Sequence, residues 1–197
     1  MINMRVLELF RGTGSIGKYC EELGYDVFSL DIDPKAQASV TTDIMNWDYA
    51  MYPVGHFDII WASPPCTEYS TMCFRRPRKL DVADAIVQRV LDIINYFKPT
   101  TWYIENPRSG MLKTRPFMVG LPYYDVSYCR YGYLYRKHTR IWTNMKGFNP
   151  LYCNKDCESM KEGKHTSLVL KTRSLAAKHS IPQPLVKALI DCQVSAQ

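Results

Sequence analysis

Short apolar runs alternate along the chain with segments in which apolar residues recur at helical spacing. The apolar runs predict buried strands at residues 5–10, 26–30, 57–62 and 101–104, with a shorter strand near residues 39–42. Helical spacing predicts helices at residues 16–23, 81–97 and 184–192, and residues 124–129 and 138–142 are typical of a closing hairpin-like pair. Strands that alternate with helices favour a parallel sheet covered on both faces. We therefore expect an α/β fold.

Length and composition fit one globular domain. A chain of 197 residues, 46% of them hydrophobic, is long enough to bury a sizeable core. No apolar run approaches the ~20 residues that a membrane span needs, and the first residues lack the pattern of a signal peptide. Seven scattered cysteines argue against a disulfide framework. They favour a reducing, intracellular setting, such as the cytoplasm of a bacterial or phage-infected cell.

The net charge of +6 is unevenly distributed along the chain. Residues 1–105 carry 10 lysines and arginines against 14 acidic residues, whereas residues 106–180 carry 14 against 4. A basic second half behind an acidic first half favours a polyanion as partner. The alternative is a basic face that is simply solvated.

A glycine-rich turn, Phe-Arg-Gly-Thr-Gly-Ser-Ile-Gly, follows the first predicted strand at residues 10–17. Its glycines would let the backbone approach a ligand at the start of a helix. Asp31 ends the second strand, where an acid can hydrogen-bond a ribose diol, and Asp43 is a further candidate for an adenine amino group. This layout suits an adenosine-containing cofactor. The alternatives are a plain tight turn and a solvated loop carboxylate.

Cys66 follows two prolines at the end of the strand predicted at residues 57–62. Most free cysteines are small buried hydrophobes, but this one lies beside the predicted cofactor crevice, which favours a nucleophile. Its thiolate would need a lowered pKa or the help of a base. The basic cluster at residues 75–79 could bind phosphates beside it, unless this segment is a solvated loop.

Glu105 lies in a third motif, Tyr-Ile-Glu-Asn-Pro, at the end of the fifth predicted strand. A carboxylate there is costly to bury unless it is paired or used, so Glu105 near Cys66 could hold a heterocycle nitrogen. The alternative is a helix or turn cap. Farther along, residues 131–140 interleave basic and aromatic side chains, which suits phosphate contacts and base stacking.

Three residues of an irregular region, Cys153, Cys157 and His165, form the pattern Cys-X3-Cys-X7-His. A region with little apolar sequence could use zinc as a staple, with Cys129 as a candidate fourth ligand. The alternative is that these are unpaired surface or packing cysteines.

Taken in order, the motifs resemble those of the C5-cytosine DNA methyltransferases. Residues 10–17 are similar to that family's cofactor turn, Pro64-Pro65-Cys66 to its Pro-Cys motif, and Glu105-Asn106-Pro107 to its Glu-Asn-Val motif. Residues 136–140 resemble its arginine-rich strand, and residues 181–185 its last, proline-rich motif. The chain departs from the pattern at Pro107, at a shifted spacing in the arginine-rich strand, and at Lys178-His179 in place of Gly-Asn.

The resemblance implies a fold and a domain organisation. The implied fold is a Rossmann-like S-adenosylmethionine-dependent methyltransferase, a mostly parallel seven-stranded sheet with helices on both faces. Residues 1–142 and 176–197 would form the catalytic domain. Residues 143–175 would be a short irregular insertion, either a much reduced target-recognition region or a zinc-stapled lobe. The reduction implies relaxed recognition or a specificity partner, and so compact a chain resembles a phage or viral enzyme.

The resemblance also implies methylation of cytosine C5 in DNA. The Cys66 thiolate would attack C6 of a flipped-out cytosine, and Glu105 would hold N3 and the exocyclic amine. The implied catalytic residues are Cys66, Glu105 and Arg140. The implied cofactor-binding residues are Phe10, Gly12, Thr13, Gly14, Ser15, Asp31, Ile32, Asp43, Ile44, Pro64 and Ser180. The implied substrate-binding residues are Pro65, Ser70, Arg75, Arg76, Asn106 and Arg136.

Other functions remain open at this point. An RNA (tRNA) methyltransferase on the same fold is one, because a folded RNA can present an unstacked cytosine without a large recognition lobe. A catalytically silent DNA-binding or cofactor-binding subunit is another, although such a module needs neither Cys66 nor Glu105. A cysteine hydrolase is least favoured, because His56 has no recognisable triad context.

Overall fold

Seven strands form one sheet in the computed structural model of the chain, which describes residues 3–166 and 179–194. The strands are β1 Arg5–Leu9, β2 Asp26–Asp31, β3 Val40–Thr41, β4 Ile59–Ala62, β5 Thr101–Pro107, β6 Tyr123–Ser127 and β7 His138–Thr143. Their order across the sheet is β3-β2-β1-β4-β5-β7-β6. Strands β1 to β5 pair in parallel, and β7 pairs antiparallel with both β5 and β6.

Within the described residues, three helices cover the two faces of this sheet. They are α1 Ser15–Glu22, α2 Leu80–Phe97 and α3 Gln183–Val194. One hydrophobic cluster includes Val87, Val90 and other residues of α2, and a second includes residues of α1 and α3. The predicted α/β fold with helices on both faces is therefore confirmed. Within the part of the chain that the structure describes, none of the helices has the length and apolar character that crossing a bilayer requires.

The largest change from the predicted elements concerns β5. The apolar pattern predicts a strand that stops at residue 104, but the strand continues to Pro107 because β7 pairs with it in register as far as Thr139. Glu105 and Asn106 therefore lie inside a strand and not after it, so the interpretation of Glu105 as a helix or turn cap is wrong. The other predicted bounds differ by a few residues at most.

The described part of the predicted insertion, residues 143–166, contains a hairpin that the sequence pattern did not predict. Strands β8 Met160–Lys161 and β9 Lys164–His165 pair antiparallel around Glu162 and Gly163, whose φ angles are 48° and 74°. Two successive left-handed residues are the requirement of a type I′ hairpin turn. Residues 167–175, like Lys178, lie outside the described residues, and the division of the chain at residues 142 and 176 stays a prediction.

A ligand crevice is expected at the carboxyl ends of β1 and β4. The chain leaves β1 towards α1 on one face of the sheet and leaves β4 towards α2 on the opposite face. Such divergence between neighbouring parallel strands opens a crevice where α/β proteins bind ligands. The Ser63 N–H donates to the carbonyl of Leu9 at 3.3 Å, so the turn after β1 and the loop that carries Cys66 flank the same crevice.

Candidate active site

The shape of the glycine-rich turn is set by residues with left-handed backbone conformation and by a hydrogen bond to the Asp31 carboxylate. Gly12 and Gly14 have φ angles of 50° and 65°, and Phe10 also lies in this region at 61°. The Gly12 N–H donates to Asp31 Oδ2 at 2.8 Å, and the Asp33 N–H donates to Oδ1 at 2.8 Å. Asp31 is therefore fixed at the rim of the crevice. Any other residue at position 12 or 14 would need the left-handed backbone conformation that favours glycine.

A cavity of about 550 Å³ adjoins the turn and brings separate parts of the chain together. Thr13 and Ser15 line it from the turn, Tyr133 from the segment after β6, and Ser180 from the segment before α3. The hydroxyl oxygens of Tyr133 and Ser180 are 2.6 Å apart, and the N–H that follows Ser180 donates to Ser15 Oγ at 3.1 Å. Three of the predicted cofactor-binding residues thus share one cavity wall.

The remaining predicted cofactor residues differ in what they offer. Ile32 is 66% exposed beside Asp31 and presents an apolar surface, whereas Ile44 is 3% exposed and packs in the core. The Asp43 carboxylate accepts the N–H of Met45 at 2.9 Å. Pro64 is buried, and its carbonyl is already engaged by a protein side chain.

That side chain is Asn106, which ties the loop of Cys66 to β5. Asn106 is 1% exposed, and its Nδ2 donates to the Pro64 carbonyl at 2.9 Å. Beyond Cys66, the fully buried Tyr69 donates its hydroxyl to Asp84 at 2.9 Å. The carbonyl of Tyr69 accepts the N–H of Met111 at 2.9 Å. The short segment around Cys66 is therefore anchored on both sides by hydrogen bonds.

Glu105 is 7% exposed on β5 and has two polar neighbours that the sequence did not indicate. The Tyr128 hydroxyl donates to Glu105 Oε1 at 3.0 Å, and Lys137 Nζ lies 3.6 Å from the same oxygen. Lys137 Nζ also lies 4.7 Å from the centre of the Tyr128 ring. A buried carboxylate needs such partners, because burying it alone would be costly. Tyr128 and Lys137 belong to other segments, and their spacing carries no signal that they meet β5.

The structure brings Cys66 and Glu105 close enough for their charges to interact. Burial raises the pKa of the Cys66 thiol, the negative charge of Glu105 raises it further, and the positive charge of Lys137 acts in the opposite direction. A thiol whose pKa lies above its ordinary value is mostly protonated at neutral pH. The surroundings of Cys66 in this structure therefore favour the neutral thiol over the thiolate.

Arg140, the third predicted catalytic residue, is engaged by Asp125. Its Nε and a terminal nitrogen donate to the two oxygens of Asp125 at 2.8 and 2.9 Å, and Arg108 donates to the same carboxylate at 2.8 Å. Burial acts to raise the pKa of Asp125, but the hydrogen bonds from Arg140 and Arg108 hold it below its ordinary value. A catalytic role of Arg140 stays a prediction.

The predicted substrate-binding residues lie mostly at the surface. Pro65, Arg75 and Arg136 are exposed, as contacts to phosphates require. Arg76 donates to Glu68 at 3.0 Å, and Ser70 Oγ accepts the N–H of Met72 at 3.1 Å. Asn106 differs from these residues because it is buried and holds the Pro64 carbonyl.

The predicted metal ligands also come together. The ligand atoms of Cys153, Cys157 and His165 lie within 4.8 Å of one another and of the sulfur of Cys129. The cluster joins the region of the β8–β9 hairpin to the 3-10 turn Tyr128–Tyr131 that follows β6.

Comparison with known proteins identifies the family of the chain. Residues 4–116 match the model of the family described as C-5 cytosine-specific DNA methylase. The chain belongs to this family. A protein of Frog virus 3 (isolate Goorha), named Probable DNA (cytosine-5)-methyltransferase, is 33% identical over 175 residues, which are 80% of this chain and 79% of that protein. The family and the enzyme class predicted from the sequence, DNA (cytosine-5)-methyltransferase, are confirmed.

Solved structures of methyltransferases share the fold of this C-5 cytosine methylase. The Entamoeba histolytica methyltransferase EhMeth matches with a TM-score of 0.55 and 16% identity over 77% of this chain and 57% of that one. The S. pombe Dnmt2 methyltransferase matches with a TM-score of 0.52 and 16% identity over 73% of this chain and 51% of that one. The chain thus spans about half the length of these solved proteins. The predicted Rossmann-like methyltransferase fold is confirmed.

Proposed function

We propose that this methylase transfers a methyl group from S-adenosylmethionine to C5 of cytosine in DNA, through a covalent adduct between Cys66 and C6. The observation that carries the proposal is that Cys66 and Glu105 lie near each other. Two different strands deliver these residues to one crevice, close enough for the charge of Glu105 to raise the pKa of the Cys66 thiol. A module that only binds DNA or cofactor has no need of a partly buried thiol beside a buried carboxyl group.

Cys66 would act as the nucleophile. Cytosine C5 is a poor nucleophile, but a thiolate that bonds to C6 pushes the electron pair of the C5–C6 double bond towards C5. C5 takes the methyl group as the S–CH3 bond of the donor breaks. A base or water then removes the C5 proton, and the electrons of that bond restore the C5–C6 double bond and expel the Cys66 thiolate. Lys137 would favour the thiolate in this step, because its positive charge opposes the rise in the pKa of Cys66 that burial and Glu105 cause.

Glu105 would hold the base while charge develops on the ring. Its carboxyl group would contact N3 and the exocyclic amine and stabilise the charge that forms when Cys66 attacks. The Tyr128 hydroxyl and the Lys137 amino group both approach Oε1 of Glu105, so they restrict rotation of the carboxyl group. A group that is held in place before the reaction needs no reorganisation during it.

S-adenosylmethionine fits the residues at the carboxyl end of β1. When bound, it supplies an electrophilic methyl group. Asp31 would hold the ribose, the glycine turn would admit the ligand near the backbone, and the cavity lined by Thr13, Ser15 and Ser180 has room for the remainder. A zinc ion on Cys153, Cys157 and His165 is proposed as a second, structural cofactor.

DNA is the polyanion that the basic second half of the chain would bind. The exposed Arg75 and Arg136 would contact phosphates, and the target base must leave the stack to reach Cys66. The predicted insertion spans only residues 143–175, which is short for a target-recognition region, so a specificity partner or a short recognition sequence is part of the proposal. All seven cysteines, each within the described ranges, are free, which supports a reducing compartment.

The proposed function is tested by offering tritiated S-adenosylmethionine with duplex DNA and, separately, with total tRNA. We expect label in DNA cytosine, with affinity for DNA that falls steeply as salt rises. Label only in tRNA would overturn the DNA assignment in favour of RNA. No label in either substrate, with cofactor binding intact, would favour a silent subunit.

The raised pKa of Cys66 predicts how the free enzyme reacts with iodoacetamide. Only the thiolate reacts, so alkylation of Cys66 should quicken by about tenfold for each pH unit between pH 7 and 8.5. Lys137→Met removes the charge that lowers this pKa, so it should slow alkylation at pH 8 by about 3- to 10-fold, whereas Lys137→Arg should not. Peptide mass spectrometry measures the rate at Cys66 separately from the other thiols. A rate independent of pH in this range would contradict the prediction.

A further inference from the structure

Four metal-binding side chains from two separate stretches of chain meet at one point. Cys129 lies on the 3-10 turn after β6, Cys153 and Cys157 follow β7, and His165 ends β9. Their ligand atoms all lie within 4.8 Å of one another. His165 Nε2 is 3.5 Å from Cys153 Sγ and 3.3 Å from Cys157 Sγ.

These separations fit one tetrahedral zinc ion. With Zn–S bonds of about 2.3 Å and Zn–N bonds of about 2.0 Å, a tetrahedral angle places sulfur and nitrogen about 3.5 Å apart. Three thiolates and one imidazole are a donor set of structural zinc sites. The three cysteines are free thiols and not disulfides, so all three sulfurs are available.

The backbone around the cluster is shaped to present these ligands. Lys155, between the two cysteines, has a φ of 69°, and its N–H donates to Cys153 Sγ at 3.3 Å. An N–H aimed at sulfur favours the charged thiolate, which is the form that binds metal. The tight turn between β8 and β9 then reverses the chain and places His165 opposite Met160.

Among the residues that the structure describes, the lobe around these ligands has little apolar material to hold it. The hydrophobic cluster found there consists of the three cysteines, each at most 7% exposed, with Met160 packed against them. So small a cluster gives little hydrophobic stabilisation, and small units of this kind use a metal as a staple. Zinc bound by four protein ligands would have no open position, so its role would be structural.

We propose that Cys129, Cys153, Cys157 and His165 bind one zinc ion that fastens the lobe of residues 153–165 to the turn Tyr128–Tyr131. The contacts around the cluster run across the same joint. The Cys153 N–H donates to Ser127 Oγ at 3.0 Å, and Arg130 pairs with Asp156 at 2.6 Å. Cys129 follows Tyr128 directly, so the ion would also steady the tyrosine that holds Glu105. Only this last point rests on the proposed function.

Metal content of the full chain tests the proposal. Protein purified under reducing conditions without chelator should contain about one zinc ion per chain, and Cys157→Ser should contain less than about a tenth of that. Cys192→Ser removes a thiol on α3 and is the matched control, which should keep its zinc. Cys129→Ser should bind zinc at least about tenfold more weakly than the original chain, because it loses one of four ligands.

Cobalt titration of the reduced, metal-free original chain tests the site without any variant that could fail to fold. We expect the intense visible and near-ultraviolet absorption of tetrahedral cobalt bound to thiolates. Hydrogen exchange should then be faster without metal in residues 150–166 and 127–131, but not in α2. The proposal would be overturned if the chain bound neither zinc nor cobalt, or if Cys129→Ser kept the zinc affinity of the original chain. Hydrogen exchange at the same rate with and without metal would also overturn it. None of these readouts needs S-adenosylmethionine or DNA, so a failed methyl transfer assay would leave their result intact.

Discussion

Replacing Cys66 with alanine is expected to lower methyl transfer to cytosine-containing DNA at least roughly 10⁴-fold, the scale on which loss of a catalytic nucleophile is felt. Without the thiolate, no bond forms at C6, and C5 stays too weakly nucleophilic to take the methyl group. Cofactor binding should persist, because the turn after β1 and the cavity beside Ser15 and Ser180 do not involve Cys66. Tritium transfer under single-turnover conditions measures the loss.

Cys73→Ala is the matched control for this experiment. Cys73 lies seven residues later in the same loop and is likewise partly exposed, so its removal should leave the rate within about twofold of the original. DNA that contains 5-fluorocytosine gives a second readout, since fluorine cannot leave C5 as the proton does. A stable adduct should form with the original chain and not with Cys66→Ala. Appreciable transfer by Cys66→Ala would refute the covalent mechanism.

Glu105→Gln is expected to slow the methyl transfer step by about 10²- to 10³-fold, comparable to removing a preorganised group that stabilises transition-state charge. The amide keeps the size of the side chain but can neither carry a proton to N3 nor match the charge that develops on the ring. It also takes the counter-charge from Lys137, whose amino group lies 3.6 Å from Glu105 Oε1. Rapid-quench measurement of the first turnover would report the loss directly.

Binding measurements distinguish a catalytic from a structural loss in Glu105→Gln. The affinity for S-adenosylmethionine should change little, while kcat falls. Glu22→Gln makes the same chemical change at the exposed end of α1 and should leave the rate unaltered. If Glu105→Gln retained the original first-turnover rate, Glu105 would not be the group that holds the base.

The fold was largely predictable because its strands are local features of the sequence. β4 is buried at all four positions, and α2 buries residues three and four apart, so both patterns can be recognised without knowledge of the partners. The end of β5 could not be predicted in this way. Its last three residues become strand only because β7, some thirty residues later, pairs with them. Pairing of this kind is a tertiary effect that a local pattern does not contain.

The candidate site likewise contains residues that local sequence motifs indicate and residues that only tertiary packing brings in. Cys66 and Glu105 belong to short motifs, so the sequence placed them, whereas Tyr128 and Lys137 reach Glu105 through the packing of a turn and a strand start. The matched family model ends at residue 116 and thus contains neither partner. The metal cluster shows the same contrast. The spacing of Cys153, Cys157 and His165 indicated three ligands, whereas Cys129 was a candidate without a spacing signal and is brought to them by the fold.

β7 lies between β5 and β6 in the sheet, although it follows both of them in the chain. This order determines when the sheet can be completed during synthesis. β5 is made early but remains an open sheet edge until β7 has emerged, and open edges invite pairing with other chains. Until then Glu105 has neither Tyr128 nor Lys137 beside it. A ribosome that paused between residues 107 and 138 would therefore hold a nascent chain in which both proposed catalytic motifs are translated but the site is not yet assembled.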